Sequence, residues 1–487
     1  MNSLGCRCDF SEESKQDNLQ DIPQSNVRQF NLNLVSLCLG AASIGLTLGW
    51  PESSITYHVN IIKCDDICYD LSNDGSSTIH MIVNLGSCLG ALVPACLVNI
   101  SGRRHSFCIS AISSIIFWLI LGIARDNITL MLGAAVGGFS AGLFIVTSTM
   151  YVGEVSSPDQ RGIVGSLAAF FAYLGIVIST TISSFHPDQL IPLLMCTVSV
   201  GFLLTIYFWM IESPYYIYET GKTLEAKLAL KALRGAHHVL DVELEYKSME
   251  KFFDVNEKKL QESGNPLKLV FSSSSRRIPT SITMLLLCIS QLVGNFAMDF
   301  YSKSFLDDFH PKISKILIAS LDLTSVGICV FFIEKLGRKP LLLLSIGGSS
   351  ICCLVLAIDV ALYQANHEHM LYSSEKLVTL GIVIVYYASY SLGVAPILPL
   401  LTSEVFSSKM KTISMSICFS VFYLAVMINQ AVFEIINFKK GLYVAFLSFT
   451  LVGSFGLLFV IVFLPETRAK SLSQIQNELA DYTFFVA

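Results

Sequence analysis

The sequence predicts an all-α membrane protein of about twelve transmembrane helices, set in two six-helix bundles with a cytoplasmic helical loop between them. Three observations predict it. The first is composition: of 487 residues, 53% are hydrophobic and 14% charged, with a mean hydropathy of +0.61. Soluble domains carry charge on about a quarter of their residues, so too little charge is present to coat a water-soluble surface of this size. The second is spacing: apolar runs long enough to cross a hydrocarbon core of about 30 Å recur twelve times, six on each side of one long polar stretch. The third is repetition: short charged motifs after the runs of the first half return in the same order in the second.

In order along the chain, residues 1–30 form a polar tail of mixed charge (Asp9, Glu12, Glu13, Lys15, Asp17), expected to be cytoplasmic. It does not read as a signal peptide, because the first apolar run begins only near Leu32 and no small-residue cleavage site follows it. The first bundle spans 31–211, with runs near 32–50, 79–100, 107–124, 130–152, 162–182 and 190–211. Residues 212–277 form the linker, in which Thr223–Gly235 places Leu224, Leu228 and Leu230 or Leu233 at helical spacing with Gly235 as a stop. A second linker helix is expected near 241–254. The second bundle spans 278–464, with runs near 280–301, 314–333, 341–363, 377–402, 412–436 and 441–464; a short cytoplasmic tail, 465–487, follows.

An even number of crossings puts both termini on one side. With the termini and the long linker inside, 24 of the 32 Lys and Arg residues lie on the inner face, as the positive-inside rule asks. The net charge of −5 gives no basis for nucleic-acid binding. Most of the 14 cysteines sit in apolar runs, where they act as small hydrophobes. Only Cys64 and Cys68 lie in a polar outer loop, as a possible disulfide or as two free thiols. No metal-ligand spacing, nucleophile elbow, HExxH or phosphate-binding loop occurs. Neither a metal, a cofactor nor an enzymatic activity is therefore expected. Asn127-Ile128-Thr129 is a possible glycosylation site beside the membrane; Asn99-Ile100-Ser101 also fits the pattern but falls on the inner face.

The repeat is carried by three motif pairs: SGRRH (101–105) with LGRKP (336–340), GEVSSPDQRG (153–162) with SEVFSSKMKT (403–412), and ESPYYIYETGK (212–222) with PETRAKSLSQI (465–475). Glycine in such loops permits a tight turn between helices that end close together, and acids and bases recur side by side on one face. Taken together, these motifs resemble the sugar porter family of the major facilitator superfamily. SLGVAPILPLLTSEVF (391–406) and the GW of LTLGWPES (46–53) are most similar to the insect facilitated trehalose transporters. The resemblance covers about 32–478 and implies the major facilitator fold, with alternating access through a cavity between the bundles.

It also implies roles for residues. Arg103, Arg104, Glu154, Arg161, Glu212, Glu334, Arg338, Glu404 and Glu466 match the charges with which the family locks its cytoplasmic side. The match is thinner in the first half, where Asn99 replaces the acid before GRR, Ala134 the arginine early in span 4, and Thr149 the proline of the Pro-Tyr-x-x-Glu pattern. In the family, span 7 reads Gln-Gln-x-Ser-Gly-x-Asn. Here Gln291 is kept, Ser290 replaces the other Gln, and Phe296 falls at the Asn, with Asn295 one place earlier and so about 100° away on a helix. Tyr301 matches an aromatic near the outer gate. In span 10 the family tryptophan is Pro399, the Asn-Trp of span 11 reads Phe422-Tyr423, and the amide position of span 5 falls on Ala169 or Tyr173. Amides and aromatic hydroxyls suit sugar hydroxyls, because they both donate and accept.

Asp322 stands where the family has Asn, roughly 18 Å above the inner end of span 8. An ionisable group at that depth is costly and usually faces a cavity. Three readings stay open for it: accepting a substrate hydroxyl, carrying a proton, or pairing within the bundle. Asp299 is placed near the outer end of span 7, in contact with water. Thr47 stands in span 1 where proton-coupled sugar symporters carry a carboxylate, which favours uniport. The expected function is a facilitative trehalose or hexose carrier of the plasma membrane, for which one copy suffices and whose partners are the sugar and the bilayer. The alternatives are a non-transporting sugar sensor on the same scaffold and a carrier of another polyol or organic solute.

Overall fold

The computed structural model describes residues 28–62, 74–185, 190–235, 242–247, 249–250, 274–306, 311–366, 376–406 and 408–468, with 470, 474–475 and 478 of the tail. Cys64 and Cys68 lie outside the described residues, as does the side chain of Asn99. Among the described residues, twelve helices are long and apolar enough to cross a membrane. Spans 1 to 6 are Gln29–Trp50, Thr78–Val98, Ile100–Ile123, Asn127–Val155, Arg161–Phe185 and Ile191–Phe208; spans 7 to 12 are Arg277–Ser302, Lys315–Leu336, Arg338–Leu362, Val378–Val405, Lys411–Asn437 and Leu442–Phe463. Each coincides with a run read from hydropathy. No strand occurs among the described residues.

Two glycines make the sharp turns that the repeated motif implies. Gly102 between spans 2 and 3 has φ +88°, and Gly337 between spans 8 and 9 has φ +94°, a region that residues with a Cβ rarely enter. The linker expectation holds in its first part: Thr223–Arg234 is a helix stopped by Gly235 in the left-handed conformation. Its Ala226 and Leu230 pack on Val242, Tyr246 and Met249 of the next, largely helical segment. Burial, with Glu245 nearby, pushes the Tyr215 hydroxyl up to about 12.

Span 7 departs from the single run read in the sequence. Its helix stops at Gln291 and restarts at Asn295, because Gly294 takes φ +103°. A break in a membrane helix leaves carbonyls that must find donors inside the protein. Here Asn429 Nδ2 of span 11 donates to the Gln291 carbonyl at 2.9 Å, and the Cys353 thiol of span 9 donates to that of Val293 at 3.5 Å. A Cβ on Gly294 would sit 3.2 Å from Cys353 Sγ and from Phe449 Cβ, so the break is packed on both sides.

Within the first bundle, spans 1 and 5 and spans 2 and 4 meet at backbone distance. A Cβ on Gly45 would lie 1.9 Å from the Ala172 carbonyl oxygen, and one on Gly142 1.9 Å from that of Ser87. Small residues at four-residue spacing permit this approach between membrane helices. The bundles touch along two seams, span 2 against span 11 and span 5 against span 8. Leucines and isoleucines stay exposed in stripes along the spans, such as Leu85, Leu89 and Leu92, as a surface solvated by lipid requires.

Candidate substrate path and charged gate

At the end of the molecule that carries the repeated motifs, each half builds the same device. In the first, Arg103 Nε and Nη2 grip Glu154 at 3.0 and 2.9 Å, with both side chains buried. Glu212 accepts the backbone N–H groups of Arg103 and Arg104 at 3.0 and 3.1 Å, so it caps span 3 just past the Gly102 turn. In the second, Glu466 accepts those of Arg338 and Lys339, both at 3.0 Å, past Gly337. A carboxylate at a helix N-terminus meets unsatisfied amides and the positive end of the dipole. Arg104 Nε donates to the Ile206 carbonyl at 3.1 Å, and Lys339 Nζ to that of Ile461 at 2.9 Å. Each closes the C-terminus of the last span of its bundle, a structural task that position in a loop did not reveal.

The halves differ at the buried arginine. Arg338 is shared: Nη1 and Nη2 donate to Glu334 at 2.9 and 3.1 Å, and Nη2 also reaches Glu404 at 3.4 Å. Glu334 Oε1 in turn accepts the Gly162 N–H of the other bundle at 2.9 Å, a direct tie across the span 5–span 8 seam. In the register of the repeat, Glu334 corresponds to Asn99, and at this end span 11 meets span 4 through Thr412 Oγ1, which donates to Met150 Sδ at 3.3 Å. Arg161 and Lys411 are buried between the halves. Lys411 Nζ fills the notch over Gly153, where a Cβ would lie 2.5 Å away; neither it nor Arg161 Nε has a hydrogen-bond partner among the described residues. The bundles are thus in contact at the charged end.

Midway along the spans, polar side chains gather around span 10. Ser391 donates to Asp322 of span 8. Gln291 Nε2 donates to Ser290 Oγ at 3.4 Å, and the buried Tyr390 stands beside Ser391 on span 10. Tyr387 donates to Asp299 and lies 3.0 Å from Ser302 Oγ. Asp299 is therefore tied into the second bundle rather than standing only in water. Asp322, Asn295 and Tyr173 are half-buried, and Gln291 is 9% exposed. Asn295 opens the second segment of span 7, so its amide sits at a helix N-terminus, while Phe296 packs edge-on against Phe433 at 5.6 Å.

Tyr301 and Tyr423 lie away from this group. Tyr301 packs edge-on against Phe446 of span 12 at 5.6 Å, and Tyr423 of span 11 packs edge-on against Phe422 at 5.2 Å. The sequence reading brought out Gln291 and Asp322 but passed over Tyr387, Tyr390 and Ser391. The available signal was their crowding in one apolar helix, where each buried hydroxyl needs a partner.

The first bundle holds a different polar core. Ser43 and Thr47 of span 1 meet Ser114 of span 3 and Ser199 of span 6; Ser43 and Ser114 lie 2.7 and 2.9 Å from Ser199, and Thr47 Oγ1 lies 3.3 Å from Ser114. All four are buried, and all are hydroxyls. At the sequon, Asn127 opens the helix of span 4. Thr129 donates to the capping Asp126 from both N and Oγ1. The Thr129 hydroxyl bond is the main reason the Asp126 carboxyl is held below its usual value. Among the described residues, no group of three or more His, Cys, Asp or Glu is placed to hold a metal.

This arrangement has known counterparts. The family profile described as "Sugar (and other) transporter" matches residues 37–479. Among curated relatives, the facilitated trehalose transporter Tret1 of Culex quinquefasciatus is 25% identical over 452 residues, covering 92% of this chain and 85% of the relative. That of Apis mellifera ligustica is 24% identical over 476 residues (96% and 92%). The Anopheles gambiae form is longer, and the match spans 56% of it. In structure, the chain superposes on the proton:xylose symporter XylE bound to 6-bromo-6-deoxy-D-glucose with a TM-score of 0.77 at 19% identity, covering 92% of this chain and 99% of that one. On the inward open XylE of E. coli the TM-score is 0.64 at 18% identity, with 91% and 99% covered.

Proposed function

The chain belongs to the sugar (and other) transporter family, an integral multi-pass membrane protein of major facilitator fold, and from that premise we propose that it is a facilitative carrier of trehalose or a hexose, working by alternating access as a uniporter. The observation that carries this reading is the contrast between the two polar cores. In spans 7, 8 and 10 an amide (Gln291), carboxylates (Asp299, Asp322) and hydroxyls (Tyr390, Ser391) are grouped where the bundles meet, a set that donates to and accepts from sugar hydroxyls. In span 1, the place of a coupling carboxylate is held by Thr47 inside a cluster of hydroxyls that do not titrate. The relatives named as facilitated trehalose transporters support the choice of sugar.

In this reading Gln291, Asn295, Asp322, Tyr301 and Tyr423 serve the substrate path, the last two by supporting its walls. The charged end faces the cytoplasm with both termini, the membrane is the plasma membrane, and one copy is the working unit. The paired carboxylates and arginines hold the cytoplasmic side shut. Exposed ion pairs are worth about 0–1 kcal/mol, but the pairs here are buried, and a bias of about 1.4 kcal/mol between two states is tenfold in population.

The test is uptake of radiolabelled trehalose and glucose in oocytes with verified surface expression, at several external pH values. Saturable uptake that is indifferent to pH and lost in Gln291→Ala is expected. A steep rise at acid pH would replace uniport by symport, and no uptake of either sugar would move the assignment to another solute or to a sensor.

A further inference from the structure

We propose that the charged end is a binding site for a small monovalent inorganic anion, of which chloride is the type, held between the bundles by the Lys411 ammonium. Every charged side chain that is fully buried among the described residues belongs to this end: Arg103, Arg161, Arg338 and Lys411 against Glu154 and Glu404. Glu334, 19% exposed, adds a third carboxylate. The capping acids Glu212 and Glu466 stand outside this set, each beside a half-buried cation of its own, Arg104 and Lys339. Four buried cations thus face three acids, and one positive charge is left over. The repeat shows where the fourth acid is missing, since Glu334 corresponds to Asn99.

Lys411 carries the surplus. It is 1% exposed, and its Nζ has no hydrogen-bond partner among the described residues. Nζ lies over Gly153, so the acid one residue on is Glu154. The oxygens of Glu154 are already taken, Oε1 by Arg103 Nη2 and Oε2 by Arg103 Nε and Ser213 Oγ. Ser403 Oγ, 3.2 Å from where a Cβ on Gly153 would lie, gives its proton to the Leu400 carbonyl. Arg103 Nη1, Arg161 Nε and Arg338 Nε are also buried without acceptors, against one unbonded carboxylate oxygen, Glu404 Oε2. Loss of the Lys411 proton would balance the charge but leave those donors unmet, and a guanidinium does not lose its own. An anion supplies both things the cluster lacks, negative charge and lone pairs. Lys411 also stands in the first turn of a helix that begins at Ser408, where the dipole favours an anion.

The site belongs to one conformation. Gly153 is on span 4 of the first bundle and Lys411 on span 11 of the second, so the ammonium is buried only while the bundles meet at this end. When they part, water reaches Lys411 and the anion is released. A ligand that binds one of two states shifts the balance toward that state. The anion therefore acts as a removable fourth acid. Bound, it does for the span 4–span 11 contact what Glu334 does where span 5 meets span 8. One surplus charge asks for one negative charge, and a side chain sealed this far from solvent admits a halide more readily than a phosphate or a lipid headgroup.

The test is amide hydrogen exchange at residues 150–156 and 411–416 of the purified full-length protein, in potassium chloride against potassium gluconate at one ionic strength. It needs no transport, so it is decided whatever solute the chain carries. Exchange in the wild type should slow about tenfold as chloride rises to about ten times its Kd. Asn99→Glu builds the fourth acid into the chain and should be slow in both salts. Lys411→Met removes the charge at similar length and should be indifferent to chloride. A wild type indifferent to chloride overturns the proposal and leaves Lys411 uncharged. Slowing by chloride that persists in Lys411→Met puts the anion elsewhere and overturns it as well. Slowing by added phosphatidylglycerol micelles in gluconate, with none by chloride, would assign the negative charge to a lipid headgroup and overturn the free ion.

Discussion

Spans 2 and 4 meet backbone against backbone, whereas their mates under the repeat, spans 8 and 10, meet through side chains. In the first pair, Gly86, Gly90, Gly138 and Gly142 leave no room for a Cβ, which would fall 1.9–2.2 Å from a facing carbonyl oxygen. The register that pairs Gly102 with Gly337 and Glu154 with Glu404 sets Leu321, Ser325, Ala388 and Leu392 against those glycines, and Asp322–Ser391 joins the helices there. One topology is therefore held in two ways. Close packing over many atoms resists any relative shift, because dispersion is lost as soon as a gap opens. A hydrogen bond between side chains can be remade with a new partner of the same chemistry. The first bundle is built to move as a block, and the second keeps contacts that a polar solute can exchange.

The largest expected effect follows from the weld. Gly142→Leu should cost more than about 4 kcal/mol, among the most severe single changes, and abolish monodisperse protein. Leu392→Ala at the matching position should cost about 2–3 kcal/mol. Thermal unfolding of the two purified variants compares them directly, and equal losses would remove the contrast between the halves.

The buried arginines sharpen it next. Glu154→Gln removes the carboxylate that grips Arg103 and should destabilise by about 3 kcal/mol, as breaking a buried pair does. Glu404→Gln leaves Arg338 on Glu334 and should cost about 1 kcal/mol. The reverse order in melting temperature would show that Glu334 does not share the load. A change of sugar flux comes third. Asn99→Glu supplies the acid that the first half lacks and should tie the span 2–span 11 seam as Glu334 ties the other. Uptake should slow up to about tenfold if the gate is stabilised by about 1.4 kcal/mol; unchanged or faster uptake would mean that this seam does not limit opening. The smallest effect is expected from Thr47→Val, under about 1 kcal/mol in stability with no change in the pH profile of uptake. A pH profile altered by this change would place the hydroxyl cluster in the coupling path.

The twelve spans were legible because crossing a bilayer imposes length and apolarity that nothing else in a chain imitates. The paired charges at one end of the bundles were legible because duplication printed the motifs twice. What escaped was partnership. The run 280–301 looks continuous in hydropathy, and only the packing of Cys353, Phe449 and Asn429 around Gly294 explains where it breaks. The sequence exposed Asp322 as an acid in the wrong solvent, but not the Ser391 hydroxyl that bonds it, since that lies about 70 positions away in the chain. Arg104 read as a gate charge by location, whereas its side chain closes the end of span 6, as that of Lys339 closes the end of span 12.

The two capping carboxylates also set an order of events during synthesis. Glu212 follows span 6 and seats the start of span 3; Glu466 follows span 12 and seats the start of span 9. Until each has left the ribosome, the amides past Gly102 or Gly337 have no acceptor from their own bundle's last turn. Each bundle is therefore fastened by the final piece of itself to be made. A nascent chain halted between the two carries one half fastened at its helix end and one still open.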